Sequence, residues 1–264
     1  MIQTFPEREP VWGMTLLENH LYVLRGHKSS EQIEIYDIDS CRLVCAVTVP
    51  GLGAKTDIVG CGYNRCAYIS DYSHSSVHRV TLRGPITCWP VNDTPIRLSV
   101  TNRHTVLVSC GQVRRIKEFS TDGRLLRVVT LPYGMLPWHT IQLSNGQFLV
   151  CVGDPEDQFH SVCLISSRGS VVKSFGGPIG SGSQQMSGPA HMAVDRNGFV
   201  FVVDQNNSRV LLLSPQLTYV RDVLSFNWRP QRVHLDSDRG RLYVADNELK
   251  DEKFTAGRVF VVNV

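Results

Sequence analysis

The chain has 264 residues, of which 42% are apolar and 19% charged, with a net charge of +3. This composition excludes a disordered chain, and no apolar run approaches the ~18 residues that a membrane-spanning helix needs. The slight basic excess permits a nucleic-acid partner but does not require one.

Residues 1–9 (MIQTFPERE) have no apolar core of the kind a secretory leader carries, so a cytoplasmic location and no membrane association are expected. The eight cysteines contain no Cys-x-x-Cys pair, and Cys110, Cys151 and Cys163 sit inside apolar runs. They read as buried reduced thiols rather than a disulfide framework or a zinc site.

Six segments in chain order share one plan: an apolar strand, a turn, and a second apolar strand with a fixed end point. Those end points are Gly26 in LYVLRG, Asp71 in CAYISD, Cys110 in TVLVSC, Asp154 in FLVCVGD, Asp204 in FVFVVD and Asp246 in RLYVAD. A period of about 40 residues with three or four short strands per unit predicts propeller blades. Five units open on a proline (Pro10, Pro95, Pro137, Pro189 and Pro230), and the second opens on Lys55-Thr56-Asp57. Proline suits the residue before an inner strand, where no ladder donor is needed. Turns such as Asn145-Gly146 and Asn197-Gly198 supply the positive-φ positions of tight hairpins. The expectation is an all-β, six-bladed β-propeller occupying residues 1–264 as one domain. The Gly/Ser-rich stretch 176–188 and the polar stretch 248–255 read as loops. The last unit has three strands and stops at Val264, so residues 2–5 are expected to supply its outer strand, with a turn at Pro6.

Residues 189–213 carry Pro189, Asp195, Gly198, Asp204, Asn207, Arg209 and Val210 in the order Pro, strand, Asp, Gly, strand, Asp, Asn-x-Arg-Val. This pattern resembles the NHL repeat, and the chain looks like the C-terminal propeller of tripartite-motif NHL proteins. The resemblance implies a non-enzymatic platform, monomeric as an isolated domain and without a cofactor. It implies binding of single-stranded or hairpin RNA on one face, or of a protein ligand as the alternative. Asp204 and Arg209 read as a pair pinning their own loop.

A propeller has a face of tight hairpin turns and a face of longer loops that lead into each inner strand. Function is expected on the loop face. Two residues after each opening position lie Trp12, Asp57, Arg97, His139, His191 and Arg232, a ring expected near the axis. Arg25, Lys28, Lys55, Arg114, Arg115, Trp138 and Arg229 lie in nearby loops. Cations interleaved with aromatics suit a single strand, with charges on phosphates and rings on bases. The competing reading has Trp12 and Trp138 packing between blades and the arginines bonding loop carbonyls. Glu156, Asp157, Glu248, Asp251 and Glu252 would repel phosphate on their side.

A metal-dependent lyase or hydrolase is the more distant alternative, with His139 and His191 as ligands and Asp57 as a third. The lyase domain of peptide-amidating enzymes is a related propeller with several axial histidines. Only two of the six ring positions here are histidine, which argues against a metal.

Overall fold

A computed structural model describes residues 3–26, 32–53, 57–81, 84–153, 159–251 and 253–264. It contains six four-stranded antiparallel sheets arranged as the blades of a propeller. A short strand β1 (Gln3–Thr4) precedes the first blade. Blade 1 is β2 (Val11–Leu17), β3 (His20–Arg25), β4 (Gln32–Asp37) and β5 (Leu43–Thr48). Blade 2 is β6 (Asp57–Cys61), β7 (Cys66–Asp71), β8 (Ser76–Val80) and β9 (Thr87–Pro90). Blade 3 is β10 (Pro95–Val100), β11 (Val106–Cys110), β12 (Arg115–Phe119) and β13 (Leu125–Thr130). Blade 4 is β14 (Pro137–Gln142), β15 (Phe148–Gly153), β16 (Phe159–Ile165) and β17 (Val171–Pro178). Blade 5 is β18 (Pro189–Val194), β19 (Val200–Asp204), β20 (Arg209–Leu213) and β21 (Tyr219–Ser225), with a 3-10 turn at Gln205–Asn207. Blade 6 is β22 (Arg229–Asp236), β23 (Arg241–Lys250) and β24 (Lys253–Asn263), completed by β1. Among the described residues no helix is long and apolar enough to cross a membrane.

The near-continuous apolar runs of the second strands follow from this architecture. A blade is covered on both faces, so successive side chains enter different cores. In β3, Leu21 and Val23 pack with Tyr243 and Val259 of blade 6, whereas Tyr22 and Leu24 pack with Ile58 and Ile69 of blade 2. In β19, Val200 and Val202 face blade 4, whereas Phe201 and Val203 face blade 6. One such apolar cluster fills each interface between neighbouring blades, and the thiols of Cys110, Cys151 and Cys163 are buried within them.

The ring closes through blade 6, as expected from the sequence. Gln3 pairs with Val261 and Thr4 with Phe260. The Phe5 amide donates to the Val259 carbonyl at 2.9 Å, and its ring is 2% exposed, edge-on to Tyr36 at 5.3 Å. Ile2 lies outside the described residues. The stretch 248–255 is not an irregular loop, because β23 and β24 run on through it as an extended hairpin.

Two further readings are corrected by the register. The second-strand position equivalent to Asp204 and Asp246 is Arg25 in blade 1 and Val152 in blade 4, since Val11 pairs with Arg25 and Pro137 with Val152. Gly26 and Asp154 are therefore not the equivalents of Asp71, Asp204 and Asp246, and Asp154 itself lies outside the described residues. In five blades a bulge interrupts the first pairing of the inner strand, at Trp12, Ile96, Trp138, Ala190 and Gln231. A bulged residue leaves the ladder and turns aside, and the residue after it resumes the pairing. The blade 1 residue that pairs like Asp57, Arg97, His139, His191 and Arg232 is thus Gly13, not Trp12.

Candidate functional site

The inner strands bring Asp57, Arg97, His139, His191 and Arg232 together around the axis, with Gly13 in the sixth place. Arg232 is 1% exposed and donates from Nε to Asp57 Oδ1 at 2.9 Å. Asp57, also 1% exposed, accepts the Leu98 amide on Oδ2 at 3.0 Å. His139 Nδ1 accepts the Met192 amide at 3.3 Å, which places the proton of the neutral ring on Nε2. Asp57 and His139 thus perform one task two blades apart: each bonds the amide just past the ring residue of the next blade. Gly13 replaces such a side chain with direct backbone contact, since a Cβ there would lie 2.6 Å from the Ile58 amide.

His139 and His191 stack with ring centroids 3.8 Å apart. Burial lowers His139 to about 3 and holds His191 well below the ordinary imidazole range, so both are neutral at physiological pH. Burial, then repulsion from Arg232, pulls Arg97 down to about 9. The guanidinium of Arg97 donates from Nη1 to the Ile96 carbonyl at 2.9 Å, and its buried Nε has no partner among the described residues. His191 Nδ1 is also buried and without a partner there.

A metal does not fit this set. Asp57 has both oxygens engaged and His139 Nδ1 is occupied by a backbone amide. Among the described residues no three His, Cys, Asp or Glu side chains converge as a ligand set.

The remaining sequence-selected residues separate into packing groups and surface groups. Arg25 is 1% exposed and knots the closure together. Its Nε reaches Glu34 Oε2 at 2.6 Å, Nη1 reaches the carbonyls of Glu9 at 2.6 Å and Gly257 at 3.0 Å, and Nη2 reaches the Pro6 carbonyl at 3.1 Å. No donor face is left for a phosphate. Trp12 lies over Gly26, where a Cβ would collide with the indole, and meets Phe254 edge-on at 5.9 Å. Trp138 packs against the core between blades 4 and 5 and donates its indole N–H to the Gly153 carbonyl. The bulged Ile96 covers Gly111 in the same way, so the bulge residue and the glycine just past the second strand form one recurring packing device. Arg209 pairs with Asp204 at 2.8 Å and also donates to the Gln185 carbonyl at 2.9 Å, pinning the preceding loop. Lys28, Lys55, Glu156, Asp157 and Glu252 lie outside the described residues.

Arg114, Arg115 and Arg229 remain on the loop face. Arg229 is half-buried where β22 begins. Arg114 sits over the ring of Tyr133, 5.1 Å from its centroid, and Tyr133 is 91% exposed. Arg115 is exposed and shares Asp93 with Lys117, at 3.5 and 2.7 Å. Two cations, Arg115 and Lys117, therefore share one carboxylate, and the Arg114–Tyr133 pair lies next to them in the chain fold of blade 3. Sequence reasoning missed Tyr133; its signal was an aromatic between Pro132 and Gly134, a turn that no core can use. It also missed Trp228, which stacks under Arg258 at 3.7 Å, with Arg258 neutralised by Asp246 at 3.1 Å.

No family model matches the chain, and no curated protein matches it by sequence. The NHL resemblance accordingly rests on the residues of blade 5. Solved structures do match in fold. A streptogramin B lyase is 14% identical, with 100% of this chain and 87% of that one covered at a TM-score of 0.67. A catalytically inactive virginiamycin B lyase from Staphylococcus aureus, solved with quinupristin, is 13% identical over 99% of this chain and 100% of that one, with a TM-score of 0.69. The hydrazine synthase of Kuenenia stuttgartiensis is 14% identical over 96% and 95%, with a TM-score of 0.65. At such identities the likeness establishes the six-bladed propeller and nothing finer. It does correct the expectation of a non-enzymatic chain, since enzymes share this architecture along its whole length. What the architecture supplies is a closed ring of blades with varied loops on one face.

Proposed function

We propose that this propeller binds single-stranded or hairpin RNA on its loop face, at the loops of blades 3 and 4. The observation that carries the reading is the Arg114–Tyr133 pair, an almost fully solvated ring held flat by a guanidinium, with Arg115 alongside. A solvated aromatic costs apolar exposure in the free protein and offers a base a stacking surface, while the two arginines reach its flanking phosphates. The NHL-like pattern of blade 5 supports the same reading. The buried His139 and Arg232 tie neighbouring inner strands together, and with the buried Arg97 they take no part in the contact.

The direct test is titration of a pool of short single-stranded and hairpin RNAs at near-physiological salt. Saturable binding that weakens steeply with salt is expected, because phosphate neutralisation releases counterions. Absence of saturable binding overturns the RNA reading.

A protein ligand is the second reading. A groove of about 250 Å³ between blades 5 and 6, lined by Leu224, Phe226, Phe260 and Val262 with Arg258 at its edge, gives it a specific surface. Crosslinking that maps to this groove, in a chain that does not retain RNA, would place the function there.

A further inference from the structure

The axial ring carries more positive than negative charge. Arg97 and Arg232 face one carboxylate, Asp57, and both imidazoles are neutral. Arg232 takes one oxygen of that carboxylate and the Leu98 amide takes the other, so Arg97 has no anionic partner among the described residues. Arg97 is 9% exposed and, among the described residues, makes one side-chain hydrogen bond, through Nη1 to its own neighbour's carbonyl. A guanidinium has five N–H donors, and a buried cation without a counter-charge is strongly disfavoured. Water in the channel satisfies donors but leaves the charge uncompensated. His191 adds a second unsatisfied nitrogen, Nδ1, in the same ring. Among the described residues none bonds His191 Nδ1 in the way the Met192 amide bonds that of His139, so this nitrogen can carry the proton and donate.

We infer that the axial channel binds one small oxyanion, a carboxylate or an inorganic phosphate, through the Arg97 guanidinium with His191 as a second donor. The anion supplies the missing negative charge, the planar fork of Arg97 matches its oxygens, and the neutral histidine stack forms the adjoining wall. Burial, then repulsion from Arg232, lowers the Arg97 proton affinity despite the attraction of Asp57. This site is separate from the loop-face surface and stands whether or not RNA binds there.

The test titrates the wild-type protein with sodium formate and, separately, sodium phosphate, with ionic strength held constant by a sulfonate too bulky to enter the channel. The Nε–Hε NMR signal of Arg97, assigned through the Ile96 and Leu98 amides, is followed together with the melting temperature. The expected result is a saturable shift of that signal at one anion per chain and a rise in melting temperature with the same midpoint. Arg97→Met loses the rise, and Arg168→Met on the turn face keeps it. A response to formate alone identifies a carboxylate ligand, and a response to phosphate alone an inorganic one; either supports the site. An Arg97 signal unmoved by both anions overturns it, as does an equal rise in melting temperature for Arg97→Met. If Arg97→Met fails to fold, the wild-type NMR titration decides by itself.

Discussion

Arg232 and Asp57 are joined across a blade that sends no side chain between them. Arg232 belongs to blade 6 and Asp57 to blade 2, yet Nε and Oδ1 lie 2.9 Å apart. The ring position of the intervening blade is Gly13, whose lack of a side chain leaves the path open. The pair therefore straps together the three blades around the closure point, where the ring has no covalent continuity.

Removing one partner strands a buried charge, so Arg232→Met should lower stability by about 3–5 kcal/mol. The double variant Asp57→Asn with Arg232→Met should recover part of that loss. Both charges are then gone, and the side-chain carbonyl of the introduced asparagine can still accept the Leu98 amide. Urea denaturation of the three proteins checks this. A double variant weaker than Arg232→Met would show that the Asp57 charge is balanced by Arg97 once Arg232 is gone.

Gly13→Ala should be costly for a steric reason. The added Cβ would lie 2.6 Å from the Ile58 amide and 2.9 Å from Ile58 Cγ2, and the backbone atom cannot give way. An overpacking loss of about 1–3 kcal/mol is expected. Gly146→Ala, in an open turn with nothing near the added carbon but with φ at +82°, controls for backbone strain alone. Equal melting temperatures for Gly13→Ala and wild type would show that blades 1 and 2 separate without cost.

Closure depends on Arg25 and the first strand together. Deleting residues 1–6 removes the β1 ladder, the buried Phe5 and the Pro6 acceptor of Arg25. A loss of several kcal/mol is expected, a large share of the roughly 5–15 kcal/mol that holds a domain folded, with aggregation through the uncovered β24 edge. Arg25→Met should also destabilise, by leaving Glu34 with Tyr36 and Arg8 as its remaining partners. Light scattering alongside thermal melting separates edge exposure from simple unfolding.

Acid should unfold the ring through its histidines. Burial lowers His139 to about 3 and His234 to about 4, from an ordinary 6.5. Between those values and 6.5 the unfolded chain binds protons that the folded chain refuses, so stability rises with pH and is lost as pH falls through that window. Each pH unit below 6.5 should cost about 1.4 kcal/mol per histidine. The difference between wild type and His139→Gln, measured by urea denaturation from about pH 7 to about pH 4.5, isolates one group. Parallel curves for the two proteins would mean that His139 is protonated in the folded state.

The blade count, the closure and five of the six axial residues were legible because they follow from periodicity, and an antiparallel blade repeats its pattern faithfully. What failed was the starting point in blade 1. Val11 takes the place that the prolines hold in blades 3 to 6, so counting two on from Pro10 landed on the bulged Trp12 instead of Gly13. Burial was the other gap. Arg97 and Arg232 read as surface cations, since a charged residue near a loop is usually exposed; only the convergence of six inner strands puts them inside. Tyr133 escaped because it lies in a connecting loop, where no periodic pattern marks it.

The loop-face reading makes a contrast that non-specific attraction cannot imitate. Any basic protein holds RNA at low salt, so a loss of affinity on removing one arginine proves little. Stacking is different: it needs one ring in one place. Tyr133→Ala should weaken RNA binding by about 1–3 kcal/mol with little change in salt slope, because the ring carries no charge. Arg114→Ala should weaken binding and also reduce the slope by about one, since it removes a phosphate contact and frees the Tyr133 ring from its cation. The matched control is Tyr63→Ala on the turn face, where a ring 76% exposed stacks on His104 at 4.0 Å. It removes as much aromatic surface from the opposite side and should leave affinity unchanged, as should Arg168→Ala. Fluorescence anisotropy with one labelled single strand, at four salt concentrations for each protein, reads affinity and slope together. Equal losses from Tyr63→Ala and Tyr133→Ala would mean that the strand has no preferred face, and the RNA reading would fall.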